Sequence, residues 1–218
     1  MSYAVKEMFY TLQGEGAHSG RPAVFVRFAG CNLWSGRERD RASAQCSFCD
    51  TDFVGTDGEK GGVYEHADAL ADAVCALWPG AYRPIFVVLT GGEPLLQVDA
   101  PLTLALHQRG CYIAVESNGT ESVPDGIDWL CISPKGRAPV VVSACDELKL
   151  VYPQSNALPE RFEHIKAGRY YLSPMAAPNA ALIALPALDA PTQAAMRYCL
   201  QHPRWQLTLQ SHKLLDMA

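Results

Sequence analysis

The chain alternates short apolar runs with stretches whose apolar residues recur at helical spacing. Ala23 to Phe28, after Pro22, reads as a β-strand. Ile85 to Leu89 is a continuous β-branched and aromatic run, the character of a strand buried on both faces. Tyr112 to Val115, Trp129 to Ile132, Leu148 to Val151, Tyr170 to Leu172 and Trp205 to Leu209 predict further strands. Ala67 to Leu77 sets Leu70, Ala73, Val74 and Leu77 on one helical face and stops before Pro79-Gly80. Pro101 to Arg109 predicts a second helix, closed by Gly110, and Thr192 to Gln201 a third. Strand–helix–strand order followed by strands with shorter connections predicts an α/β fold with a mostly parallel sheet. The units fall short of eight βα pairs. The expected architecture is therefore an incomplete, partial β/α barrel, in a single domain over residues 1–218 with neither repeat nor linker.

Polar residues gather where the strands end. Thr90-Gly91-Gly92-Glu93-Pro94 follows Val87-Val88-Leu89, and Glu116-Ser117-Asn118-Gly119 follows Ile113-Ala114-Val115. Ser133-Pro134-Lys135 and Ser173-Pro174-Met175 follow two more strands. Parallel α/β sheets bind ligands at the carboxyl ends of their strands, so these four ends describe one functional rim.

Composition narrows the class. With 218 residues, 49% hydrophobic, the chain can bury a substantial core. A net charge of −5 gives no electrostatic footprint for nucleic acid. The only basic clustering, Arg37, Arg39 and Arg41, alternates with Glu38 and Asp40 and reads as a solvated loop. No stretch approaches the ~18 apolar residues of a membrane span. Met1 to Tyr10 lacks the basic-then-apolar order of a secretory leader, so a cytoplasmic location is expected. The eight cysteines then read as reduced thiols. Cys75, Cys111, Cys131, Cys145 and Cys199 lie in apolar stretches and read as small buried hydrophobes.

Cys31, Cys46 and Cys49 are different. They sit in Gly30-Cys31-Asn32-Leu33 and, after a polar insert, Cys46-Ser47-Phe48-Cys49-Asp50-Thr51. Three thiolates can hold a four-iron cluster and leave its fourth iron open, whereas a closed structural zinc site wants four ligands. With no neighbouring histidine, the count of three favours a reactive cluster. Gly91 and Gly92 would let backbone approach a ligand closely. Arg27, in the apolar run Val24-Phe25-Val26-Arg27-Phe28, needs a carboxylate partner if buried.

These residues resemble the radical S-adenosylmethionine (SAM) enzymes. The triad is spaced C-x14-C-x2-C where that superfamily usually has C-x3-C-x2-C; the closing Cys46-Ser47-Phe48-Cys49 and the Gly91-Gly92-Glu93-Pro94 segment keep its form. More narrowly, Phe9-Tyr10-Thr11-Leu12-Gln13-Gly14-Glu15-Gly16, Gly20 to Leu33, Cys49-Asp50-Thr51-Asp52 and Leu209-Gln210-Ser211-His212-Lys213 are similar to the 7-carboxy-7-deazaguanine synthases of 7-deazapurine (queuosine) biosynthesis. The insert resembles the form found in some proteobacteria. The resemblance implies a small homodimeric lyase that converts 6-carboxy-5,6,7,8-tetrahydropterin to 7-carboxy-7-deazaguanine with loss of ammonia. It implies a [4Fe–4S] cluster on Cys31, Cys46 and Cys49, SAM on the open iron, Mg2+ at Thr51 and an electron donor such as a flavodoxin. Asp50 and Asp52 remain competing magnesium ligands.

SAM contacts are expected from Phe48, Asp50, Gly92, Glu116, Ser117, Ser133, Pro134, Lys135, Ser173, Pro174, Met175 and Ala176. Lys135 leads these as a cation suited to a carboxylate. Pterin contacts are expected from Leu12, Gln13, Gly14, Glu15, Arg27 and Thr90, with Arg27 on the 6-carboxylate and Gln13 and Glu15 on the heterocycle edge. Two other classes stay open. One is a radical-SAM activase of a partner protein, disfavoured by Gln13 to Gly16 and Arg27. The other is a non-catalytic iron–sulfur or zinc module.

Overall fold

The computed structural model describes residues 1–176, 189–215 and 217. Nine strands form one sheet in the order β3-β1-β2-β4-β5-β6-β7-β8-β9. The strands are β1 (Tyr3–Leu12), β2 (Pro22–Phe28), β3 (Gly62–Tyr64), β4 (Ile85–Gly91), β5 (Cys111–Ser117), β6 (Trp129–Ile132), β7 (Ala144–Tyr152), β8 (Lys166–Pro174) and β9 (Gln206–Leu207). The helices are α1 (Ala67–Ala76), α2 (Ala100–Gln108), α3 (Ala190–Gln201) and the short α4 (Ser211–Leu215). From β2 through β9 neighbouring strands run parallel, while β1 pairs antiparallel with both β2 and β3. Among the described residues the sheet ends on β3 and β9 and does not close.

Most predicted elements fall where periodicity puts them: several strands run longer by a residue or more, Trp129–Ile132 is unchanged, and helices α1 and α2 differ from expectation by one residue at their ends. Helix α2 starts at Ala100 because Asp99 caps it, accepting from the Leu102 N–H at 3.1 Å. The other Asp99 contact, 2.7 Å from the Tyr3 hydroxyl, ties that cap to β1. The expected strand over Trp205 to Leu209 shrinks to Gln206–Leu207. β1 is an addition. Its alternation breaks at a bulge between Val5 and Glu7, which leaves Lys6 buried next to buried Val5. Lys6 is satisfied there by Asp57, Asp52 and the Val54 carbonyl.

The sheet's two faces serve different ends. One packs Val24, Val26, Val87, Leu89, Ile113 and Val115 against Leu70 and Val74 of α1 and Leu102 and Leu106 of α2. Each such buried aliphatic side chain contributes about 1.5–3 kcal/mol. Cys111 and Cys131 are buried as expected, whereas Cys75, Cys145 and Cys199 are only half-buried against this core. The alternate residues face the other way. Phe86, Tyr112 and Trp129 form an aromatic layer at the amino ends, crossed by His18 (ring centroids 5.0, 6.2 and 4.6 Å away) and by Arg21 over Phe86 at 3.9 Å. Further along the same strands stand Phe25 and Arg27, Thr90, Glu116, Lys149 and Val151, and Ser173, which line a cavity. The aromatic layer lies on the floor side, and the carboxyl ends form the rim.

Candidate active site

The cavity, of about 410 Å3, gathers residues from β1, β2, β4, β5, β7 and β8 together with the segments that follow β1, β2, β4, β5 and β6 and the C-terminal segment. All three candidate cluster cysteines line it. They meet because the insert is a closed loop. The Gln45 N–H donates to the Leu33 carbonyl at 3.1 Å, which brings the far end of the insert back beside Cys31. Trp34 is buried and packs edge-on against Phe53, 5.7 Å between centroids. On the other side, the Asn32 amide donates to Thr120 and Glu121 and accepts from Asn118, which fastens the Cys31 loop to the end of β5.

The glycines at the end of β4 also permit a close approach within the protein itself. A Cβ on Gly92 would overlap the Gly30 carbonyl and crowd Cys31, and one on Gly91 would strike Phe28. Their missing side chains let the strand end approach the cluster loop, and both residues also line the cavity. Glu93 is fully buried. It accepts from the N–H groups of Leu95 and Asn118 and from the Ser117 hydroxyl at 2.8–3.0 Å, so it shapes the rim from behind.

The thiols are electrostatically coupled. The Cys46 thiol donates to Cys49, which lowers Cys49 to about 6 against the opposing effect of burial; the Thr51 N–H helps. That same bond and burial push Cys46 up, and burial raises Cys31. Lys135 stabilises both Cys46 and Cys49 as thiolates. Among the described residues no three His, Cys, Asp or Glu side chains converge as one metal ion would require. A multi-iron cluster, unlike a single closed ion, takes its thiolates from around an open space, and these three thiols line one.

The same cavity is lined by a buried charged network. Lys149, 6% exposed, reaches Glu15 at 2.9 Å and Glu116 at 3.0 Å. Burial opposes its charge, but Glu116 and Glu15 outweigh burial and hold its pKa well above the ordinary lysine value. Burial likewise opposes the Glu15 carboxylate, and Lys149 reverses that and lowers it. The third carboxylate nearby, Glu147, is raised by burial and accepts from the Ala17 N–H at 3.0 Å. Gln13 joins the network through Glu116 at 3.3 Å and the Glu15 N–H at 3.2 Å. Ser211 and His212 of α4 close over Gly14: the Ser211 hydroxyl donates to the Gly14 carbonyl at 2.7 Å. A Cβ on Gly14 would meet the His212 ring.

No family model matches the chain. Full-length relatives do. The 7-carboxy-7-deazaguanine synthase of Bradyrhizobium diazoefficiens is 58% identical over 217 residues and that of Bordetella pertussis 56%, each covering all of both chains. The chain belongs to the 7-carboxy-7-deazaguanine synthase family. The crystal structure of QueE from Escherichia coli matches 96% of this chain and 94% of its own with a TM-score of 0.67, at 25% identity.

Against the expectations for a 7-carboxy-7-deazaguanine synthase, the cavity collects Leu12, Gln13, Gly14, Glu15, Arg27 and Thr90 from the pterin set. From the SAM set it collects Asp50, Gly92, Glu116, Ser117, Ser133, Lys135 and Ser173, with Thr51 beside them. Phe48, Pro134, Pro174, Met175 and Ala176 do not line it. Pro134 is buried, with its carbonyl turned toward Gln154. The Met175 N–H is held by the Tyr152 carbonyl, which carries the chain off the rim at that point. Phe48 is half-buried in the turn between Cys46 and Cys49. Arg27 is not unpaired: Glu7, its cross-strand partner, takes its Nε at 2.7 Å. Lys135 uses two of its three donors on Ser133, at 2.7 and 2.5 Å. Lys149 was missed because its partners come from other elements; the one sequence signal is a lysine inside the apolar run Leu148 to Val151.

Proposed function

We propose that this chain is a radical SAM lyase that converts 6-carboxy-5,6,7,8-tetrahydropterin to 7-carboxy-7-deazaguanine with loss of ammonia. The full-length family relatives support the reaction, and one observation of this chain carries it: a single cavity lined both by three cysteines and by a paired Lys149–Glu15–Glu116 network. Cys31, Cys46 and Cys49 would hold the [4Fe–4S] cluster. Bound there with SAM, the cluster would supply the electron that cleaves the sulfonium and opens radical chemistry. The chain's own residues bind and orient. Lys135 retains one donor for a carboxylate, and Gly92, Ser117, Ser133 and Ser173 line the space beside it. Gln13 and Glu15 offer an amide and a carboxylate to the edge of a pterin. Lys149 keeps Glu15 ionised and holds both Glu15 and Glu116 in direction.

The alternation of helix-facing and cavity-facing side chains along consecutive parallel strands supports an incomplete barrel in one domain over residues 1–218. No helix among the described residues is long and apolar enough to cross a membrane, in keeping with a cytoplasmic enzyme. The family resemblance supports a homodimer and a flavodoxin-like electron donor. Iron and sulfide analysis of anaerobically reconstituted protein tests the reading, with SAM cleavage assayed with and without the tetrahydropterin. Four irons per chain and pterin-dependent cleavage are expected. Iron binding without SAM cleavage would make the chain a non-catalytic module, and cleavage indifferent to pterin would favour an activase.

Arg27, held through Nε by Glu7, presents the rest of its fork to the cavity, where it fits the substrate 6-carboxylate. Arg27→Ala should weaken substrate binding by about 2 kcal/mol, the low end for a lost charge partner because the side chain is 21% exposed. A pterin lacking the 6-carboxylate should then lose little further affinity in the mutant. Full additivity of the two losses in isothermal titration would separate Arg27 from that carboxylate.

Mg2+ fits at Thr51. Both competitors are occupied: Asp50 pairs with Lys213, and Asp52 with Lys6 at 2.9 Å. One hydroxyl leaves most of the octahedral sphere to substrate and water, so metal affinity should rise when substrate is bound. Thr51→Ala should blunt magnesium activation while cluster absorbance stays intact. Equal activation in mutant and wild type would move the ion elsewhere.

A further inference from the structure

The basic clustering in the insert is not uniformly solvated. Arg39 is 71% exposed and sits 3.6 Å from its neighbour Asp40. Arg41, two residues on, is 30% exposed and turns inward. Its Nη1 donates to two carbonyls of the cysteine turn, Ser47 at 3.0 Å and Cys49 at 2.9 Å. Its Nε is gripped by both oxygens of Glu38, one 3₁₀ turn earlier, at 2.9 and 2.8 Å. Its guanidinium lies 4.1 Å over the ring of buried Trp34.

We propose that Arg41 is a positioning residue for the cluster: it locks the Cys46–Cys49 turn in the shape the irons require, and this is the task of the long insert. The proposal rests on the cluster reading above. Holding the carbonyls of Ser47 and Cys49 on one nitrogen fixes the Ser47–Phe48 peptide plane inside the turn and the Cys49–Asp50 plane that leaves it, which restrains the turn on both sides of Phe48 and orients the backbone at Cys49. Charge-assisted bonds of this kind are stronger than neutral ones, and the planar fork is suited to them. Stacking on Trp34 and pairing with Glu38 anchor the fork itself, so the turn is set before any iron arrives. The insert thus replaces the rigidity that a short spacing between the first two cysteines would give.

The test follows iron loss from the reconstituted protein to a chelator under anaerobic conditions, beside thermal melting of the apo-protein. Arg41→Ala should lose iron about tenfold faster or more, the order of one net hydrogen bond, since solvent screens this part-exposed side chain. Arg41→Lys, which keeps one cationic nitrogen without the fork, should fall between mutant and wild type. Glu38→Gln, which loosens the anchor alone, should accelerate loss by about threefold. Arg39→Ala is the control and should match wild type. Apo-protein melting should be nearly the same throughout. Wild-type iron retention in both Arg41→Ala and Glu38→Gln would overturn the proposal, as would equal losses from Arg39→Ala and Arg41→Ala. Failure of the wild-type protein to take up four irons would instead strike the cluster reading.

Discussion

Lys149→Met should destabilise the protein by about 3–5 kcal/mol and lower turnover by roughly 100-fold or more. Methionine matches the length of the buried stem but leaves Glu15 and Glu116 facing each other without the cation that each touches at 2.9–3.0 Å. Burial opposes the Glu15 carboxylate, and Lys149 is the largest influence holding it ionised. Without it the Glu15 pKa should rise, so residual activity should require higher pH than wild type. Lys149→Arg should recover part of the stability, since a cation remains. Denaturant unfolding and pH–rate profiles check both halves. Methionine tolerated without loss of either would mean the carboxylates are held by their other partners.

Cys46→Ala should abolish both the visible absorption of the reconstituted protein and SAM cleavage. Cys46 is 5% exposed and hydrogen-bonds Cys49 inside the cavity, so no solvent thiol can take its place. A cluster held at two corners loses its irons readily. Cys31→Ala and Cys49→Ala should behave alike, while Cys75→Ala, on the helix-covered side of the sheet, should keep the cluster. Full SAM cleavage in Cys31→Ala would show that the first ligand lies elsewhere.

What the sequence discloses tracks the range of the interactions. Ile85 to Leu89 and Ala67 to Leu77 announce themselves because burial on one or both faces writes a local period. The cysteines and the polar strand ends are legible for the same reason: their chemistry is carried by residue type and spacing. β1 is not, since its bulge puts Val5 and Lys6 into the interior consecutively and breaks the alternation. The five-residue α4 has too few turns to show a period, and its place over Gly14 is set by Ser211 contacts across the molecule. The pairing of Arg27 with Glu7 depends on a cross-strand register that only the folded sheet defines. Arg41 shows the limit most clearly: three arginines alternate with acids in sequence, and only the fold turns one of them onto the cysteine turn.

The central claim is that cluster, SAM and pterin act together in this one cavity. Anaerobic incubation of the reconstituted, reduced protein with SAM, Mg2+ and 6-carboxy-5,6,7,8-tetrahydropterin, read by mass spectrometry, tests it most directly. The predicted result is 7-carboxy-7-deazaguanine with an equal amount of ammonia, absent with Cys46→Ala. SAM cleavage with the pterin recovered unchanged would contradict it.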